Sequence, residues 1–170
     1  GRFTFVKSDI IGDTGAYASV GMKVLERAAG HATGAYHVDA VEVRSRAVYT
    51  NNIPCGAMRG FGVNQINFAV ESCVDELCEM GGFDRWQIRY DNALTPGGMT
   101  STGQVLQSGI GIRKTLEAVK DVFQQSRHAG IACGIKNTGI GNGVPDTGKV
   151  KIVIESPERI LIHQGWTEMG

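Results

Sequence analysis

The residues best suited to chemistry lie together in Asn51-Asn52-Ile53-Pro54-Cys55-Gly56-Ala57-Met58-Arg59-Gly60-Phe61-Gly62, which opens directly onto an apolar-periodic stretch starting at Val63. Three glycines can take positive φ, Pro54 stiffens the approach, and the free amides of a helix start face an anion with a favourable dipole. Arg59 adds five donors in a fixed fork, and Phe61 offers an aromatic face two residues on. The segment is a candidate anion-binding loop. The residues alone leave a second reading open, in which Arg59 is a solvated loop residue and Phe61 a core anchor, because glycine-rich helix starts are common without ligands.

Other chemistries find no support in the spacing. Gly15 to Lys23 lacks the four-residue gap and the Gly-Lys-Ser/Thr ending of a P-loop, and Gly139-Ile140-Gly141-Asn142-Gly143-Val144 misses the third glycine of a dinucleotide fingerprint. His31, His37, His128 and His163 form no His-Glu-x-x-His and sit near no cysteine at ligand spacing, so a protein-ligated metal is not expected. No Gly-x-Ser-x-Gly elbow is present. Cys55, Cys73, Cys78 and Cys133 contain no Cys-x-x-Cys and read as free thiols.

The elements that must position the loop follow from hydrophobic period. Arg2 to Ile11 alternates and then runs apolar, a strand ending at the turn signal Gly12-Asp13-Thr14-Gly15. Ser19 is an expected N-cap for a short helix carrying Val20, Val24, Leu25 and Ala28 up to Gly30. Tyr36 to Thr50 alternates again and predicts one or two strands. Val63 to Glu79 gives the strongest helix pattern, with Val63, Ile66, Ala69, Val70, Cys73, Val74 and Leu77 in one stripe, Glu71, Asp75, Glu76 and Glu79 mostly off it, and Gly81-Gly82 as the stop. Asp84 is placed to cap a further helix with Trp86, Ile88 and Arg89, and Pro96-Gly97-Gly98 opens a polar loop to about Ser108. Ile112, Leu116, Val119 and Phe123 mark another helix. From Ile131 the texture becomes glycine-punctuated strands, with Val150 to Ile154 and Ile160 to His163 pairing across Ser156-Pro157-Glu158. The expected class is α+β, mixed helices and short sheets, divided into a helix-rich half at 1–130 and the start of a strand-rich half at 131–170.

Composition sets the outer limits. Seventeen Lys and Arg balance seventeen Asp and Glu, so there is no basic field to gather nucleic acid or anionic lipid. Hydrophobic residues at 42% and charged residues at 20% are ordinary globular usage and argue for a folded chain. Glycine is the unusual number, 24 of 170 or about twice average usage. No apolar run approaches the ~18 residues of a membrane span, and residues 1–10 lack the order of a signal peptide, so a cytoplasmic setting is expected. The chain stops at Thr167-Glu168-Met169-Gly170 without a polar tail, and a cut end is the expectation.

Met58-Arg59-Gly60-Phe61-Gly62 closely resembles the Phe/Met-Arg-Gly-Phe/Tyr-Gly segment of the molybdenum hydroxylases, the xanthine dehydrogenase and aldehyde oxidoreductase family, with Pro54 and Gln65 where that family often has Pro and Gln. Leu25-Glu26-Arg27-Ala28 looks like the family helix that lies 32 residues before the loop arginine, the same spacing as Arg27 to Arg59 here. Gly165-Trp166-Thr167-Glu168-Met169-Gly170 looks like the start of the family's Gly-Gly-Thr-Glu-Met-Gly-Gln-Gly segment. The three segments fall in family order across nearly the whole chain.

The resemblance implies part of a molybdopterin-binding subunit that hydroxylates purines, other N-heterocycles or aldehydes with oxygen from water, passing electrons to iron-sulfur clusters and in some members FAD on other segments or subunits. It implies that Arg59, Gly60, Met169 and Gly170 contact the cofactor. It also implies that Phe61 stacks on substrate and that Arg27 stabilises charge developing on a heterocycle oxygen; the bland alternative pairs Arg27 with a surface carboxylate such as Asp13. The region Ile135 to Pro145 aligns with the substrate-pocket strand, where Asn142 replaces a second stacking phenylalanine of xanthine oxidases and Gly143 replaces a threonine. The family's Gly-Gly-x-Phe-Gly and Gly-Val-Gly-Glu segments are absent, so the chain is not expected to be active alone, and its expected partners are the other segments and subunits. The competing expectation is a non-catalytic, stand-alone ligand-binding or structural module.

Overall fold

The computed structural model describes residues 1–139, 145 and 147–166. It contains β1 (Phe5–Gly15), α1 (Gly21–Ala29), β2 (Ala40–Tyr49), α2 (Val63–Gly81), α3 (Arg85–Asn92), α4 (Ile112–Gln125), β3 (Val150–Ser156) and β4 (Arg159–Gln164). The chain forms two compact units, Gly1–Lys136 and Asn137–Gly170. The mixture of helices with two small sheets is the α+β class that the period changes predict.

In the first unit β1 and β2 pair in parallel, Val6 opposite Val41 and Ile10 opposite Ser45. Parallel neighbours need a crossover, and residues 16–39, including α1, supply it. Every second residue of β1 is at least partly buried, from Val6 through Ser8, Ile10 and Gly12 to Thr14, while Lys7 and Asp9 stand exposed and pair with Glu42 and Arg46. The close seat of α1 on the strand is made by Gly12, since a methyl group there would lie 2.5 Å from Leu25 Cδ2.

Gly12 therefore serves a helix contact and not a turn, and the strand runs on to Gly15, past the expected stop. A second difference is the start of α1. The cap position is Val20 without a side-chain cap bond, and Ser19 instead faces Gly56, its Oγ 2.7 Å from where a Cβ on that glycine would sit.

The core forms where α2, α3, α4 and the chain around Tyr36 meet, burying Ala35, Tyr36, Val74, Cys78, Trp86, Ile88 and Leu116. Full burial of each large side chain contributes about 1.5–3 kcal/mol. Trp86 stacks on Tyr90 at 4.8 Å and donates its indole N–H to the Leu116 carbonyl at 2.8 Å, tying α3 to α4. Helix α2 stops at Gly82 in the left-handed conformation, and Asp84 caps α3 by accepting from the Gln87 amide, both as the sequence predicts.

Glu71, which the sequence pattern sets apart from the apolar stripe of α2, is nonetheless in the core. It is buried, accepts the Tyr36 hydroxyl on one oxygen, and accepts Arg89 Nε at 2.8 Å on the other. Arg89 is fully buried and completes its bonds with Asp75 at 2.8 Å and the Arg85 carbonyl at 3.0 Å. The carboxylate side chain stays in the core because every one of these partners satisfies it.

Residues 131–139 form no strand, contrary to the expected texture change. Ile131, Cys133 and Ile135 do alternate inward onto the core, but the segment joins no ladder among the described residues. In the second unit β3 and β4 form the expected antiparallel hairpin, with Ile152 opposite Ile162 and Ile154 opposite Ile160.

Candidate cofactor and substrate site

The loop 51–62 is fastened at both ends to the β1-α1-β2 unit. At its start, Asp13 at the end of β1 accepts three hydrogen bonds: from the Gly15 amide at 2.7 Å, from Thr50 Oγ1 at 2.6 Å, and from the Asn52 side-chain amide. These bonds hold the Asp13 carboxyl below the usual carboxylate range, the Thr50 and Asn52 bonds being the larger causes. Backbone bonds run alongside, from Ala16 N–H to Asn52 O, Thr50 N–H to Gly15 O and Cys55 N–H to Thr14 O, each 3.0 or 3.1 Å. Gly15 is left-handed at φ 75°, and a methyl on it would meet the Ile53 carbonyl oxygen at 2.3 Å.

At its end the loop passes through three successive left-handed residues, Gly60, Phe61 and Gly62, with φ of 96°, 53° and 93°. Phe61 is a bulky side chain in a conformation that costs roughly 1–2 kcal/mol, the sort of strain that clusters at ligand clamps. Turns from Met58 O to Phe61 N–H and from Gly60 O to Val63 N–H hold it there. Gly62 lies against α1: its pro-Cβ position is 2.2 Å from Val24 O and 3.2 Å from Ala28 N. That contact spans the helical turn that carries Arg27.

Between the fastened ends, the amides of Gly56, Ala57, Met58, Arg59 and Gly60 have no hydrogen-bond partner among the described residues. Arg59 is exposed beside them, and its carbonyl is held by Asn64 Nδ2 at 3.0 Å. A methyl on Gly60 would strike the Asn64 side chain at 2.2 Å. Backbone donors and a guanidinium make a cradle fit for an anionic, phosphate-bearing cofactor.

Four of the sequence-predicted site residues, Arg27, Arg59, Gly60 and Phe61, thus sit on two segments in direct contact, with Arg27 and Phe61 half-buried and Arg59 exposed. Asn142, Gly143, Met169 and Gly170 lie outside the described residues. Arg27 makes no ion pair with Asp13, whose carboxylate accepts from Gly15, Thr50 and Asn52. One turn beyond Arg27, His31 Nδ1 bonds the Arg27 carbonyl at 2.9 Å. Burial pushes the His31 titration down, and the nearby positive charges of Arg27 and Lys136 push the same way.

Sequence reasoning missed Asp13 as part of the site, and it placed Gly62 in the loop without its contact with α1. An Asp bonding the amide two residues on is a local signal, readable in Asp13-Thr14-Gly15. Its partners 37 and 39 residues away carry none. The four cysteines are free, with Cys55 and Cys73 exposed, and no group of three or more His, Cys, Asp or Glu among the described residues could hold a metal ion. No helix among them is long and apolar enough to cross a membrane.

Residues 1–93, which include both segments of the site, match the molybdopterin cofactor-binding domain family. The nicotinate dehydrogenase large molybdopterin subunit of Eubacterium barkeri is 43% identical over 121 residues, 71% of this chain and 28% of that protein. A probable xanthine dehydrogenase subunit of Bacillus subtilis (strain 168) is 30% identical over 171 residues, 95% of this chain and 23% of that protein. Among solved structures, the aldehyde oxidoreductase from Desulfovibrio desulfuricans ATCC 27774 superposes with a TM-score of 0.70 at 26% identity, covering 74% of this chain and 14% of that one. This chain spans about a quarter of the length of these two curated relatives. A fastened anion cradle next to an arginine-bearing helix, on a segment matched by the family, leads to one conclusion: the chain belongs to the molybdopterin cofactor-binding family of xanthine dehydrogenase and aldehyde oxidoreductase large subunits, of which it is a part.

Proposed function

We propose that the full-length protein is a molybdenum-dependent hydroxylase acting on an electron-poor N-heterocycle, and that this chain supplies part of its cofactor and substrate site. The observation that carries the reading is the contact of Gly62 with Val24 and Ala28, which sets the cofactor-loop residues Arg59 and Gly60 beside the helix of Arg27. The molybdenum cofactor, when bound, supplies the oxygen-transfer and two-electron chemistry; this chain supplies binding, orientation and charge.

Arg59 and the amides of residues 56–60 hold anionic groups of the cofactor; Met169 and Gly170 are assigned to the pterin by the family resemblance alone. Phe61 forms one wall of the substrate slot by stacking on a planar ring. Arg27 places a permanent positive charge where negative charge develops on a ring oxygen or ring substituent, an effect worth ~3 kcal/mol for one preorganised donor. By the family resemblance alone, we assign Asn142 and Gly143 to substrate contact, with smaller or more polar groups than a second stacking ring.

A simple aldehyde has no atom remote from its reacting carbon for a cation to hold, so Arg27 favours the heterocycle over the aldehyde, and the name of the nicotinate dehydrogenase relative supports that class. Purines are a further member of it. Iron-sulfur clusters and FAD on other segments or subunits carry the electrons away. The two curated relatives named above are themselves subunits by name. We place the enzyme in the cytoplasm, where exposed thiols such as Cys55 stay reduced.

A stand-alone ligand-binding module is not favoured, and the exposed apolar groups around the loop, Tyr17, Met22, Ile53 and Met58, argue for a surface that further polypeptide covers. The test is to express the full-length gene with its neighbours and purify the assembly. Turnover of carboxylated pyridines, purines and aromatic aldehydes is then followed in water labelled with heavy oxygen. Label incorporated into a heterocycle at kcat/KM well above that for any aldehyde is the expected result. Faster aldehyde turnover overturns the substrate class, and no bound pterin overturns the reading altogether.

A further inference from the structure

We propose that Asp13 is a positioning residue for the cofactor loop, acting through Thr50 and Asn52 to fix where Arg59 and its neighbouring amides stand. The inference rests on the reading of residues 56–60 as the cofactor cradle.

The geometry is that of a clamp. Asp13 sits in the irregularity where β1 and β2 lose register between Asp13 and Gly15. Its carboxylate joins three pieces of chain: the end of β1 through the Gly15 amide, the end of β2 through the Thr50 hydroxyl, and the start of the loop through the Asn52 side chain. Thr50 in turn accepts the Asn52 amide at 3.1 Å, so the hydroxyl both donates to Asp13 and receives from the loop. The neighbouring backbone bonds reach Cys55, the last residue before the open amides. Everything between Cys55 and the turn at Met58 takes its direction from this fastening and from the Gly62 contact with α1.

The chemistry suits a carboxylate. All three partners donate as they stand, and a carboxylate takes them on its two oxygens, whereas an amide does so only with the Asn52 side chain reversed. Asp13 is also exposed. At an exposed site water can replace the carboxylate as acceptor, which keeps the cost of its removal to the stability of the unit small. What it does change is the freedom of the loop, and a preorganised loop binds its ligand more tightly because less ordering has to be done on binding. Asp13→Ala should therefore separate cofactor retention from folding, which an ordinary structural residue would not do.

The experiment uses the full-length holoenzyme with Asp13→Ala, Asp13→Asn and, as a reference, Arg59→Met. Two quantities are read: pterin released by oxidation per folded subunit after extensive dilution, and the thermal midpoint. Supporting residues around a bound group typically change affinity by about 10–100-fold, so Asp13→Ala should lose pterin about tenfold faster than wild type with a midpoint shift of only a degree or two. Asp13→Asn keeps the shape and one acceptor and, once the Asn52 amide turns over, all three bonds, so it should retain most of the pterin. Wild-type retention in Asp13→Ala, with Arg59→Met losing pterin, overturns the role of Asp13 alone. Wild-type retention in Arg59→Met overturns the cofactor-loop reading itself. Parallel loss of pterin and folded subunit in Asp13→Ala, with Asp13→Asn no better, also overturns the proposal, because Asp13 would then hold the fold and not the loop.

Discussion

The α-carbon of Gly62 faces the carbonyl oxygen of Val24 so closely that a methyl group on it would sit 2.2 Å away. Gly62 is also left-handed, at φ 93°. The two constraints act together: the backbone must turn left to start α2, and it must have no side chain to lie against α1. Gly62→Ala meets both, and should destabilise the full-length protein by about 2 kcal/mol or more, since the conformation alone costs about 1–2 kcal/mol in an L-residue and the carbonyl cannot move without breaking α1. Thermal denaturation checks this. A drop smaller than that of an alanine at Gly82, which is also left-handed but has open space around it, would show that the approach to α1 is looser than this distance implies.

The buried group around Glu71 predicts a larger effect. Arg89 is wholly buried, its guanidinium held charged by Asp75 and Glu71 against the cost of burial. The Tyr36 hydroxyl is pushed well above its ordinary titration by burial, with Cys133 and Glu71 adding to the shift. Removing Glu71 leaves the buried Arg89 charge still paired with Asp75 but short of one carboxylate, and the Tyr36 hydroxyl without its acceptor; breaking a buried pair costs about 3–5 kcal/mol. Glu71→Leu should lower stability by that much, measured by denaturant unfolding. The double variant Glu71→Leu with Arg89→Met should recover most of the loss; an additive double variant would mean that the pair is not coupled.

His31 gives a prediction in pH. Its folded titration lies below the ordinary 6.5, so the unfolded chain binds a proton more readily than the folded one. Stability from this group is then fully present above pH 6.5 and is lost as pH falls through the lower folded value. Thermal midpoints recorded from about pH 7.5 down to about pH 5 should fall in wild type, and the slope over this range should be shallower in His31→Gln. Equal slopes in the two proteins would assign the pH dependence to other groups.

The distinction between what the sequence reveals and what it conceals follows the range of the interactions. Arg27 falls on a helix by the apolar period around it and Arg59 in a loop by its glycines, and Asp84 and Gly82 are placed by local capping chemistry, all matters of a few neighbouring residues. Glu71 escapes the pattern because a helical stripe sorts residues by type, and the partner that admits a carboxylate to the core, Arg89, lies 18 residues away on α3. Gly12 reads as a turn because glycine breaks patterns in the same way whether it bends the chain or makes room for Leu25. Ile131, Cys133 and Ile135 alternate as a strand does, yet alternation reports only which side is buried, and a ladder needs a neighbour that no local pattern announces. The parallel pairing of β1 with β2 belongs to the same class, fixed by where α1 lands.

Arg27 carries the sharpest functional prediction. It lies in the last turn of α1, where the helix dipole favours a cation, so a structural role in holding the helix end is a real competitor to a substrate role. The two differ in what they respond to. A residue that only stabilises the helix end is worth about 0.3–1 kcal/mol and changes all substrates alike. A residue that stabilises developing charge acts in the transition state only for substrates that place charge near it, and one such donor is worth ~3 kcal/mol, or about a hundredfold in kcat/KM. Arg27→Met in the full-length enzyme should therefore lower kcat/KM for an oxygen- or carboxylate-bearing heterocycle about a hundredfold while changing an aromatic aldehyde less than about fivefold. Arg27→Lys should recover part of the heterocycle rate, because it restores the charge without the planar fork. An equal loss for both substrates, or a loss that follows the thermal midpoint, would assign Arg27 to the helix and not to the reaction.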